Sequence, residues 1–225
     1  MDQFRKKLAA SPSYARVAPF FIFLALTACQ GMFGEASRYW VYLLKTLVGA
    51  WMVWELRPFV TELRWAFSWE AVAVGIAIFL LWVGIDPYVP KNNVFFKPGD
   101  PWNPFAQFGE GSLAAWVVVV GRILGSSIVV PPLEEMFYRS FLYRYFVRVD
   151  FQNLPLNHRH PLSWVVTSLL FGLVHYEWFA GILCGLAYQW LVLRKNRLGD
   201  AMTAHAITNF ILGLYIVWKG AWGFW

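Results

Sequence analysis

Eight apolar stretches, at about 17–33, 39–54, 69–85, 112–130, 132–149, 161–176, 178–193 and 200–218, follow one another with charged or Gly/Pro-rich breaks between them. Each approaches the roughly 20 residues that a helix needs to cross a bilayer. In lipid, every backbone amide and carbonyl must be satisfied within the structure, which leaves helices or closed barrels as spanning elements. Runs of this length favour helices. The sequence therefore predicts an all-α polytopic membrane protein with about eight helices in one membrane domain, 1–225. Composition agrees: 59% of the residues are hydrophobic and 14% charged, against about a quarter charged in soluble domains.

The formal charge of +6 comes from basic residues in short loops beside apolar runs. That pattern suits an anionic bilayer surface and topology control, not nucleic acid. Cys29 and Cys184 both lie in apolar runs and are expected to be small buried hydrophobes, with no disulfide framework or cysteine metal site. The segment "FLALTACQ" resembles a lipoprotein signal ending at Cys29, but an apolar helix produces the same letters, and helix is the expectation here. A Pro-rich break, "IDPYVPKNNVFFKPGDPWNPFAQFGEG", is expected to be an ordered surface loop.

With a cytoplasmic N-terminus and eight crossings, the inner side holds seven loop cations (Arg5, Lys6, Lys7, Arg16, Arg57, Arg64, Lys219) and the outer side eight (Arg38, Lys91, Lys97, Arg148, Arg159, Arg194, Lys195, Arg197). This balance decides no orientation. If 132–149 does not cross fully, the last two basic loops return to the inside and the count becomes eleven against four.

The stretch "VVPPLEEMFYRSFLYRYF", 129–146, places two glutamates and an arginine in this hydrocarbon-like setting. Each such charge costs roughly 2.5–3.5 kcal/mol at bilayer depth, which makes a cluster a functional candidate. Pro131 and Pro132 suit a helix start, which would put Glu134 and Glu135 in the first turn at the positive end of the dipole. Glu135 and Arg139 are spaced i, i+4 in the favourable order for an ion pair. Glu134 points about 100° away and is left free. "FGLVH" adds Phe171 and His175, and "HAITN" adds His205 and Asn209 one turn apart. A free carboxylate, two imidazoles and an amide on three helices are the parts of a water-activating site. His158 and His160, in "NLPLNHRHP", look like a solvated loop. The Gly181–Gly185 spacing would let the seventh helix approach a neighbour closely. Hydropathy alone sets His175 and His205 at different depths, unless tilt, a longer sixth helix or a sunken Tyr176 and Glu177 brings them together.

"EEMFYR", "FGLVH" and "HAITN" form an ordered set that resembles the CAAX protease and bacteriocin-processing family of intramembrane glutamate proteases, some branches of which occur beside exosortase-type sorting systems. The resemblance covers about 112–218. It implies about eight membrane helices around an internal polar cavity, Glu134 as the base with His175 beside it, His205 and Asn209 stabilising an oxyanion, and Glu135 and Arg139 orienting the site. The implied activity is an endopeptidase that hydrolyses a membrane-associated or lipidated peptide in the bilayer, in a bacterial inner membrane. No serine or cysteine nucleophile motif accompanies these groups. No cofactor is expected; the alternative is a metal on Glu134, His175 and His205, although His-Glu-x-x-His is absent. The competing functions are a non-proteolytic membrane scaffold and a proton- or ion-coupled transporter that uses the same charges as a relay.

Overall fold

A computed structural model describes residues 2–94 and 101–225. Among them are nine helices and no strand: α1 (Asp2–Ala10), α2 (Pro12–Ala28), α3 (Ser37–Leu56), α4 (Trp69–Ile85), α5 (Pro104–Phe108), α6 (Leu113–Val147), α7 (Pro161–Leu173), α8 (Trp178–Lys195) and α9 (Gly199–Lys219). Side-chain caps start several of them. Ser11, Ser68, Asn103 and Ser112 accept the free amides of α2, α4, α5 and α6. Asn196 and Gly220 close α8 and α9 in the left-handed conformation. The helices α4 (with its extension to Tyr88), α6 and α9 are long and apolar enough to cross a membrane. The molecule is an all-α membrane protein.

The fourth and fifth apolar stretches are not separate helices. They run together as α6, 35 residues and about 52 Å long at 1.5 Å per residue. Pro131 and Pro132 therefore do not open a helix, and Glu134 and Glu135 sit in its interior rather than its first turn. Two prolines would ordinarily break such a helix, because each lacks an amide and its ring meets the carbonyl four residues back. A π-helical turn over Gly125–Val129 absorbs the conflict, with the Val130 amide bonding the Gly125 carbonyl five residues back. A second π-helical segment spans Met136–Leu142.

Of the Pro-rich break, residues 95–100 lie outside the described residues; the remainder forms a 3-10 turn at Asp86–Tyr88 and the short α5. Asn92 fastens this connection to the α7–α8 turn, its amide donating to the Tyr176 carbonyl and its side chain to that of Leu173. Helices α7 and α8 pack at Gly172, Gly181 and Gly185: a Cβ on Gly181 would lie 2.9 Å from the Gly172 Cα, and one on Gly185 2.8 Å from the Ser168 Cα. The close approach expected of Gly181 and Gly185 is present.

The lone charges within apolar stretches have partners of different kinds. Lys45 is buried, donates to Thr27 and lies over the rings of Phe23 and Tyr42. Glu70 is at the start of α4 and pairs with Lys195 at 2.7 Å. At the other end of α6, Glu62 accepts from Arg16, Ser140 and Arg144, a buried polar knot that joins α2, the 57–68 connection and α6. Two sequence expectations need correction. Cys29 is half-exposed at the end of α2 rather than buried, whereas Cys184 is buried; both are free. His160 is no solvated loop residue: its Nδ1 accepts the Ser163 amide and caps α7.

Candidate active site

The two adjacent glutamates of α6 face different surroundings, as 3.6 residues per turn requires. Glu135 is fully buried. One of its oxygens accepts from His205 Nδ1 at 2.9 Å, and the other lies 3.1 Å from Arg139 Nε. The Arg139 guanidinium lies over the Phe171 ring, 4.2 Å from its centroid, so the ion pair is sealed by aromatic surface. Glu134 turns instead into a cavity of about 190 Å3 that Ser126, His175, His205 and Asn209 also line. Its Oε2 is buried, has no hydrogen-bond donor among the described residues, and lies 4.0 Å from His205 Nε2.

Both imidazoles are held by one nitrogen. A carboxylate only accepts, so the contact to Glu135 assigns the proton of His205 to Nδ1. A carbonyl likewise only accepts, and His175 Nδ1 donates to the Phe171 carbonyl at 2.7 Å. In each ring Nε2 is the remaining atom for chemistry. His205 is stacked between elements, with the Tyr188 ring 5.2 Å from its own, and Tyr188 in turn donates to Thr208 at 2.8 Å.

Asn209 reaches across from α9 to α6, where its Nδ2 donates to the Ser126 carbonyl at 2.8 Å. The π-helical turn explains why that carbonyl is available. Its usual donor, the Val130 amide, bonds Gly125 instead, and the next residue is Pro131, which has no amide. The amide nitrogen of Asn209 carries a second proton that this bond does not use.

Thus Glu134, His175, His205 and Asn209, singled out on three apolar stretches, are brought to one cavity, with Glu135 and Arg139 packed behind it. The difference in depth between the two histidines is resolved at the α7–α8 turn. Helix α7 stops at Leu173, and His175 and Glu177, in the turn beyond it, both line the cavity that also reaches His205; Glu177 lies 3.5 Å from Lys91. Among the described residues, no three His, Cys, Asp or Glu side chains gather into a metal-binding set.

Several participants escaped the sequence reading. Ser126 contributes only a backbone carbonyl, and the sole hint is the proline pair that leaves it unbonded. Arg122 is a lone charge in the apolar run 112–130; it lines the same cavity, packed over the rings of Trp102, Tyr42 and Trp225. Asn92 lies in a connection with no helical period, so nothing in the sequence linked it to His175.

A family model described as type II CAAX prenyl endopeptidase Rce1-like matches residues 114–211, which include Glu134, Glu135, Arg139, His175, His205 and Asn209. No curated protein and no solved structure matches the chain. Over residues 114–211 this chain is similar to the Rce1-like type II CAAX prenyl endopeptidases, a family of proteases.

Proposed function

We propose that the protein is an intramembrane endopeptidase that hydrolyses a peptide bond of a membrane-associated or lipidated peptide with water activated by Glu134. One observation carries this reading: of two neighbouring carboxylates, Glu135 has one oxygen bonded to His205 and the other in an ion pair with Arg139 behind the cavity, while Glu134 turns a buried oxygen, with no hydrogen-bond donor and no charged group nearer than 4.0 Å among the described residues, into the polar cavity. The 4.0 Å gap between that oxygen and His205 Nε2 is short enough for one water to reach both at about 2.8 Å. In the reaction the water oxygen bonds the substrate carbonyl carbon as Glu134 takes its proton. With His205 doubly protonated, its Nε2 donates to the water oxygen, and the water's second proton is directed to His175 Nε2. The negative charge that develops on the carbonyl oxygen meets the second amide proton of Asn209 and His205, which can donate through Nε2 only when it carries both ring protons. Collapse of the tetrahedral species breaks the C–N bond, and Glu134 returns its proton to the leaving amine.

No covalent enzyme intermediate is needed, and none of these steps calls for a metal. Thorough chelation should leave turnover unchanged; loss of activity to a chelator with recovery on adding zinc would instead make Glu134, His175 and His205 ligands. The central test is cleavage of a lipidated peptide library by purified protein in detergent. Wild type should cleave members that Glu134→Ala binds but leaves intact. A scaffold or transporter would cleave none of them.

A further inference from the structure

The hydrogen bonds and ion pairs of the connections divide them into two groups, one at each end of the helices. At one end, Arg5 pairs with Glu55, Arg16 and Arg144 meet on Glu62, the Asn157 amide donates to Asn196, and Arg197 and Thr203 reach the carbonyls of Phe67 and Ala66. These contacts tie the N-terminal segment, 57–68, 148–160 and 194–198 into one face. At the other end, Arg38 donates to the Pro101 carbonyl, Tyr39 to that of Asn103 and Trp178 to that of Pro90, while Trp102 packs on Trp225. Those contacts tie the α2–α3 turn, the described parts of the connection (86–94 and 101–111), the α7–α8 turn and the segment after α9 into the opposite face.

Because α6 is one helix, the chain alternates between these faces with α2, α3, α4, α6, α7, α8 and α9. The first face then carries Arg5, Lys6, Lys7, Arg16, Arg57, Arg64, Arg148, Arg159, Arg194, Lys195 and Arg197. The second carries Arg38, Lys91 and Lys219, so among the described residues the distribution is eleven against three. Short loops rich in Lys and Arg stay in the cytoplasm, and this asymmetry assigns the first face to that side.

The cavity that holds Glu134 is lined at its outer end by Glu177, Phe224 and Trp225, all from the second face, and by no residue of the four basic segments. On the basic side it is closed by packed chain: Leu198, Ala201 and Met202 are buried, and Gly199 sits so tightly against the 57–68 connection that a Cβ there would lie 2.3 Å from the Arg64 carbonyl oxygen.

We propose that the cavity opens on the extracytoplasmic side of the membrane, so that the bond it hydrolyses belongs to a membrane-anchored peptide or protein segment already translocated to that side, not to the tail of a protein held in the cytoplasm. The substrate class rests on the protease reading; the orientation stands without it. The test is labelling by a membrane-impermeant maleimide in intact spheroplasts of a bacterial host. The parent is a Cys29→Ser chain, in which Cys184 is buried and serves as the blank. Glu110→Cys, on the second face, should label in intact spheroplasts. Gln152→Cys, on the basic face, should label only after permeabilisation. The reverse pattern, or equal labelling of both before permeabilisation, overturns the proposal. In a second arm, a lipidated peptide that the solubilised protein cleaves is added to sealed vesicles. Cleavage in right-side-out vesicles and its loss in inverted ones supports the substrate class, and the opposite result refutes it. If no peptide is cleaved even in detergent, the protease reading falls and the substrate class with it, while the labelling still reports the orientation.

Discussion

Glu134 and Glu135 differ in chemistry because one helical step sends them to different neighbours. Replacing Glu134 by Gln keeps size and hydrogen bonding but removes the base. We expect Glu134→Gln to abolish cleavage with expression and melting temperature near those of wild type. Glu135→Gln leaves a buried Arg139 and a bonded His205 without their carboxylate, a loss of about 3–5 kcal/mol for a broken buried pair. It should lower the melting temperature in detergent as well as activity. Equal stability of the two variants, with only Glu135→Gln inactive, would reverse the assignment. Asn209 has a double load, since one amide proton satisfies the Ser126 carbonyl and the other faces the cavity. Loss of an oxyanion donor lowers turnover by about 10²–10³, and loss of the hydrogen bond to the half-buried Ser126 carbonyl costs about 0.5–1.5 kcal/mol. Asn209→Ala should therefore show both effects with substrate affinity nearly unchanged. Asn209→Asp should be at least as damaging, because it offers no donor to Ser126 and repels the oxyanion. A fall in affinity with turnover spared would make Asn209 a substrate-gripping residue.

At the scale of elements, the site depends on two irregular features of otherwise ordinary helices. The π-helical turn before Pro131 presents the Ser126 carbonyl to Asn209 and sets the rotation of the glutamates that follow. A Pro131→Ala,Pro132→Ala chain regains two amides and can relax to regular α-helix. We expect it to melt no lower than wild type yet to lose turnover, as the glutamates rotate relative to α9; full activity would show that the turn is dispensable. The second feature is the Gly172, Gly181 and Gly185 contact. A methyl group at Gly185 must push α8 from Ser168, and overpacking of this kind costs about 1–3 kcal/mol. Because His175 leads directly from α7 into α8, Gly185→Ala should lower turnover together with stability. A stable Gly185→Ala chain of wild-type turnover would contradict that coupling.

For the whole molecule, the Glu62 knot is a buried charged cross-link between the N-terminal helices and the motif-bearing part. Burial opposes its charge, yet Arg16 and then the Ser140 hydroxyl hold the Glu62 carboxyl down at about 2. An unfolded glutamate titrates near about 4.3. With the folded value depressed, the stabilisation is fully present above the unfolded value and is lost as pH falls toward about 2. Melting curves of wild type and Glu62→Gln in detergent should differ most above pH ~4.5 and converge as the pH is lowered toward ~2. A difference independent of pH over that interval would remove Glu62 ionisation from the account.

The sequence by itself determined the all-helical membrane class, because apolar runs of spanning length leave the backbone little alternative. It also determined the Glu135–Arg139 pair, the separation of Glu134 from it and the shared face of His205 and Asn209, because these depend only on helical period. Tertiary structure decided what depends on distant chain segments. That α6 passes through two prolines was illegible, since the π-helical turn and the Asn209 donor that accommodate them come from non-local packing. That His175 and His205 share one cavity was likewise decided by the α7–α8 turn, which Asn92 holds from another connection. Periodicity describes one helix at a time; the cavity exists only where α3, α4, α6, α7, α8 and α9, each unremarkable in its own sequence, are packed against one another.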